Sequence, residues 1–174
     1  MKCLAIGGLP ASGKTTLMQL IYERLNTTAL KFGLLRGHYD KNKNLALLGL
    51  YNNTDIFKGT DKLSMAVNPH FLIYAEKNNR NLLFEGDRLF TLKNLTHLNA
   101  IYKLRIIILN QTDIELKRRH NERNDKQSDK FIKGRATKIA NIKKAFNNSI
   151  ENHTLNSIED SKVLANNIIL WYEK

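Results

Sequence analysis

Gly8-Leu9-Pro10-Ala11-Ser12-Gly13-Lys14-Thr15 satisfies the pattern GxxxxGK[ST] at every required position. It follows Lys2-Cys3-Leu4-Ala5-Ile6-Gly7, an apolar run that reads as a short buried strand. It opens the segment Lys14 to Leu25, where Leu17, Leu20, Ile21 and Leu25 recur at the spacing of one helix face. Strand, glycine loop and helix in that order make a phosphate cradle: successive backbone N–H groups wrap the anion, and the helix adds its positive N-terminal end. On this reading Gly8, Pro10, Ala11, Ser12, Gly13, Lys14, Thr15 and Thr16 surround the phosphates of a nucleotide. Lys14 would reach the β- and γ-phosphates and the Thr15 hydroxyl would hold Mg²⁺. The expected cofactors are therefore ATP and Mg²⁺.

Working outward, Ala29 to Tyr39 and Leu45 to Tyr51 read as two strand-like stretches around the turn-forming Asp40-Lys41-Asn42-Lys43-Asn44. A helix is expected from Lys62 to Lys77, kinked or restarted at Pro69. Asn81 to Phe84 and Leu104 to Leu109 read as strands, and helices are expected at about 113–124 and 130–148. A weak strand near Thr154–Asn156 precedes a final amphipathic helix, Glu159 to Tyr172. Such alternation predicts one α/β domain over residues 1–174, a three-layer α/β/α arrangement with a mostly parallel central sheet.

The chain has 174 residues, 42% of them hydrophobic, enough for a sizeable core without staples. One cysteine, Cys3, excludes a disulfide framework and a cysteine-based zinc cluster. No apolar run reaches membrane-spanning length, and Met1 to Gly8 lacks the basic region and cleavage site of a signal peptide. A cytoplasmic protein without a membrane partner is expected. The net charge of +12 is concentrated: Lys117 to Lys144 holds eleven basic residues and three acids. Such a surface attracts polyanions, although charge runs are also commonly solvated helix faces.

Ligands of parallel sheets bind beyond the carboxyl ends of the strands, so polar residues closing each apolar run are the candidates. Glu85-Gly86-Asp87-Arg88 closes one run with two acids and an arginine. In Gly59-Thr60-Asp61-Lys62-Leu63-Ser64, Thr60 or Asp61 either caps the next helix or, for Asp61, orients an acceptor hydroxyl. Asp40 is a third candidate base, in surroundings that look more like a solvated turn.

A small P-loop chain with a late arginine-rich segment resembles the nucleotide and metabolite kinases. That resemblance implies a fold of P-loop kinase type and a small Arg/Lys-rich lid at about 119–136. It also gives Glu85 the place of the acid that holds a Mg²⁺ water, and turns Asp87 and Arg88 toward the acceptor. Arg119 and Arg123, four apart on one helical face, would brace the adenine or the phosphates and supply an arginine finger. GLPASGKT, then LGLY…FKGTDKLSMAV, then LLFEGDRLF together resemble, over roughly residues 1–90, a group of bacteriophage P-loop kinases. Those enzymes phosphorylate the hydroxymethyl group of 5-hydroxymethyluracil within DNA. The implied activity is ATP-dependent transfer to that group, with Lys14, Asp61, Asp87, Arg88 and Arg123 as catalytic candidates and modified DNA as partner. Two alternatives stay open: a nucleoside, nucleotide or small-metabolite kinase, and a nucleotide-gated nucleic-acid-binding ATPase.

Overall fold

The structure, a computed structural model, describes residues 1–51, 59–122 and 128–174. Seven strands form one sheet: β1 (Lys2–Gly8), β2 (Thr27–Phe32), β3 (Leu35–Asp40), β4 (Leu45–Leu48), β5 (Asn81–Glu85), β6 (Lys103–Asn110) and β7 (Ile150–Thr154). Their order is β2-β3-β4-β5-β1-β6-β7. The run β4-β5-β1-β6-β7 is parallel, and β3 pairs antiparallel with both β2 and β4. The expected α/β class with a mostly parallel sheet is therefore the observed one.

The helices described are α1 (Lys14–Tyr22), α2 (Asn68–Lys77), α3 (Leu92–Ile101), α4 (Asp113–Glu122), α5 (Asp129–Ala145) and α6 (Ile158–Glu173). Strand alternation sends β1 residues to two cores. Cys3 and Ala5 join Phe71 and Tyr74 of α2, Leu95 and Leu98 of α3 and Ile142 of α5. Leu4 and Ile6 join Leu17, Met18 and Ile21 of α1 and Leu164, Ile168 and Tyr172 of α6. Burial on both faces is why these strands read as unbroken apolar runs rather than alternating ones. No described helix is long and apolar enough to cross a membrane.

Several expected boundaries move, each for a local reason. Ala29 to Tyr39 is not one stretch: Gly33, with φ of 54°, turns the chain so that β2 folds back on β3. The expected helix from Lys62 starts only at Asn68, because Pro69 sits in its first turn, where a missing N–H costs nothing. Two short 3₁₀ turns, Thr60–Lys62 and Met65–Val67, take its place. α1 closes at Tyr22, not Leu25, and α5 at Ala145, not near 148. β7 lies at Ile150–Thr154 rather than 154–156, paired in register with Ile106–Asn110.

Beyond β5, the chain is held by Asn94. Its buried amide donates to Asn68 Oδ1 at 2.7 Å and to the Leu89 carbonyl at 2.9 Å, tying the starts of α2 and α3 to the turn that leaves β5. Asn94→Ala would strand those acceptors. It should lower unfolding free energy by about 1–3 kcal/mol in urea titration, with an unchanged denaturant slope.

Candidate functional site

β1 is the switch point of the sheet: β2 to β5, which follow it in the chain, all lie on one side of it, and β6 and β7 lie on the other. The loop after β1 therefore opens between the ends of β5 and β6. Ile6 pairs with Glu85 and Gly8 with Leu109, so the last residues of all three strands lie side by side.

Ala11 (φ 63°) and Gly13 (φ 97°) both take left-handed backbone, and α1 begins directly after Gly13. Ala11 is a residue that adopts that conformation only at a cost, and such strain gathers at functional loops. The first turn of α1 has no side-chain cap and no acidic residue. Ser12 Oγ is buried with no hydrogen-bond partner among the described residues. Uncapped helix N–H groups and an unpartnered buried hydroxyl are the donor set that an anion satisfies, so the loop fits a phosphate. Lys14 Nζ donates to the carbonyls of Gly8 at 3.0 Å and Leu9 at 2.9 Å, which keeps the ammonium at the mouth of the loop.

A cleft of about 540 Å³ runs from Pro10 and Lys14 across Asp61, Met65, Gly86, Asp87 and Arg88 to Phe131 and Arg135 of α5. Asp61 and Lys14 thus share one space although 47 positions separate them in the chain. The geometry that presents Asp61 is compact. Gly86, with φ of 88°, takes a backbone that side chains avoid, and a Cβ there would stand 2.5 Å from Thr60 Oγ1. That close approach lets the Thr60 hydroxyl donate to the Glu85 carbonyl at 2.7 Å. Arg88 Nη2 and Nε donate to the Asp61 carbonyl at 2.9 and 3.2 Å. Neither Thr60 nor Asp61 caps the helix that follows; Ser64 does so for the turn at Met65, accepting from the Ala66 amide at 3.2 Å. Met65 reads in sequence as another apolar position of a helix, and only its placement on this rim marks it.

The charges are balanced against burial. Glu85 is 3% exposed, and burial, reinforced by Asp61 and Asp87 and opposed by Lys14, pushes its carboxyl up to about 7. Asp61 is reached by solvent but lies within the cleft, so the surrounding protein and then Asp87 raise its pKa. Tyr51, fully buried, brings its hydroxyl beside the Glu85 carboxylate over Gly59, and burial raises its pKa well above the usual value. Asp87 is held by two cations of α5: Arg135 Nε lies 3.0 Å from Oδ2, and Lys138 Nζ donates to its carbonyl at 2.8 Å. Those contacts fix Asp87 as the anchor of α5 at this side of the cleft.

Arg119 of α4 meets the loop between β1 and α1 at Ala11. It donates to the Ala11 carbonyl at 3.3 Å, to the Leu155 carbonyl at 3.1 Å and to Glu115 at 2.6 Å. Hydrogen bonds from Arg118 and Arg119 hold the Glu115 carboxyl down to about 2. Arg119, Gly13, Thr16 and the Leu155–Ser157 segment border a second hollow of about 260 Å³ beside the loop. Sequence reading missed that segment; its signal was the capping box that starts α6, in which Ser157 and Asp160 each bond the other's backbone N–H. Arg123 lies outside the described residues.

Asp40 is corrected. It is buried at the other end of the sheet, where its carboxylate accepts from the Asn26 and Lys43 amides at 2.8 and 3.0 Å and closes a turn. Among the described residues no three His, Cys, Asp or Glu side chains are placed to hold a metal by themselves. A divalent cation here would take most of its ligands from phosphate oxygens and water, as Mg²⁺ ordinarily does. No protein-family model matches the chain, and no curated protein matches it significantly.

The Glu85 shift has a defined sign. Its pKa rises from the ordinary 4.5 to about 7 on folding, so the stability it contributes is complete below pH 4.5 and is lost as pH climbs toward 7. Glu85→Gln, a mimic of the protonated acid, should melt higher than the wild type at pH 8, by about 3 kcal/mol of stability. The difference should vanish near pH 4 in thermal melts.

Proposed function

We propose that the chain is an ATP- and Mg²⁺-dependent phosphotransferase of P-loop kinase fold whose acceptor is the 5-hydroxymethyl group of 5-hydroxymethyluracil in DNA. The observation that carries the reading is the shared cleft, in which the phosphate-loop lysine faces the Asp61 carboxylate. A loop that only hydrolysed nucleotide would not require a carboxylate-lined acceptor space of about 540 Å³ beside it.

Bound Mg²⁺–ATP supplies the transferable phosphoryl group. Thr15 would hold the cation directly and Glu85 through a water, which also relieves the crowding of Glu85, Asp61 and Asp87. Lys14 neutralises charge on the transferring group, and Arg119 braces the loop against the base-side hollow. Asp61 orients the acceptor hydroxyl. As the hydroxyl oxygen bonds to the γ-phosphorus, the bond from phosphorus to the β,γ-bridging oxygen breaks, ADP leaves, and the hydroxyl proton passes to Asp61 and on to water. Arg88, fixed on the Asp61 carbonyl, positions that carboxylate. Exposed Lys130 and Lys133 on α5 extend the basic face from the cleft, which suits a phosphodiester backbone.

Labelled ATP incubated with 5-hydroxymethyluracil duplex, thymine duplex and free hydroxymethyl nucleotide decides the acceptor. Label should appear in the modified duplex; label on the free nucleotide alone indicates a small-molecule kinase, and label only in free phosphate an ATPase. Lys14→Ala should lower turnover by about 10²–10³ with little change in melting temperature. Asp61→Asn should lower kcat strongly while the KM for ATP stays within about twofold.

A further inference from the structure

The rim of the acceptor cleft is apolar in an otherwise charged site. Met65 is 85% exposed, the most exposed large hydrophobic side chain among those described, and Phe131 is 39% exposed. Isolated exposed hydrophobics need no explanation, but these two line the same cleft as Lys14 and Asp61. They come from different elements, the turn before α2 and the first turn of α5. Each is also held by an arginine of the site. The Arg88 guanidinium contacts Met65 Sδ, and the Arg135 guanidinium lies 4.5 Å from the Phe131 ring centroid while it pairs with Asp87.

We infer that Met65 and Phe131 grip the flat face of the acceptor base after it has left the duplex stack, with its substituent hydroxyl directed at Asp61. This rests on the phosphotransferase reading above. A sugar or polyol acceptor would gain little from a thioether and a phenyl ring, whereas a heterocycle packs on the polarisable sulfur and stacks on the ring. A base still paired in a duplex exposes only its edge in the major groove and offers no face to either side chain. Gripping the ring therefore requires extrusion, and the volume of about 540 Å³ accommodates an extruded nucleoside. Met65 and Phe131 are thus specificity-determining residues for a planar acceptor.

The test uses the full chain and a short duplex with one 5-hydroxymethyluracil whose 3′ neighbour is 2-aminopurine, a base that brightens when its stack opens. Saturating wild type should raise that emission several-fold without ATP. Met65→Ala and Phe131→Ala should each cut the rise by at least half and increase the KM for DNA about tenfold, leaving the KM for ATP unchanged. Phe131→Tyr, which keeps the ring, should restore both readings. Met65→Ala lies at an exposed position, so it tests the grip even if Phe131→Ala is poorly folded. No brightening with wild type, or an unchanged DNA KM in a normally melting Met65→Ala variant, overturns the grip. Phosphoryl transfer with unchanged KM values in both variants overturns the grip alone; brightening without any transfer retains the grip and overturns the kinase reading.

Discussion

β1 is flanked on both edges and covered on both faces, so its middle is fully buried and it reaches solvent only at its two ends, one of which opens into the loop before α1. Every element of the site answers to that constraint. β5 and β6 pair with β1 in parallel register, which brings Glu85 and Leu109 beside the start of the loop. The chain must therefore turn its polar residues outward at one shared edge of the sheet. Helix α1 follows with its first N–H groups uncapped, and the neighbouring β5 ends on the carboxylate of Glu85 rather than on further apolar bulk.

The crowding of charge at that edge is controlled by depth. Glu85 is buried, Asp61 lies in the cleft and Asp87 is paired on the outside with Arg135 and Lys138. Three carboxylates so close would repel one another strongly if all were equally buried and ionised. Instead the deepest is pushed toward neutrality, the outermost is paired with α5, and the middle one, its pKa raised by burial and by Asp87, is opposed by Lys14, Arg88 and Arg135. Among the described residues, the gradient leaves Asp61 as the carboxylate that lines the cleft together with Lys14 without a cation of α5 bound to it.

How much of this was legible in the sequence varies with the range of the interaction. The strand–loop–helix order of β1 and α1 and the acidic end of β5 were readable because each depends on neighbours in the chain or on an unbroken apolar run. The fold class followed from the alternation of those runs. The β2–β3 turn was hidden because Gly33 sits inside a continuous apolar stretch and only its positive φ reveals the reversal. Thr60 looked like a helix cap, yet its hydroxyl is committed to a carbonyl 25 positions away. The anchoring of Asp87 by Arg135 and Lys138 crosses about fifty positions and has no local trace. Met65 in Lys62-Leu63-Ser64-Met65-Ala66-Val67 carries the pattern of a core position, and its exposure follows from the delayed start of α2.

Among the described residues β2 and β7 form the two edges of the sheet, each paired on one side only, and their composition bears on how copies of the chain meet. β2 carries exposed Thr28 and Lys31, and β7 carries Glu151, Asn152 and His153, with Glu151 already bound by Arg105. Both are short, and each interrupts its row of free amides and carbonyls with charged or hydrated side chains. An edge of that kind resists extension by a second sheet, because an incoming strand would have to strip water from the lysine or break the Arg105 pair. The open α/β layout thus carries its own protection against edge-to-edge growth into fibres.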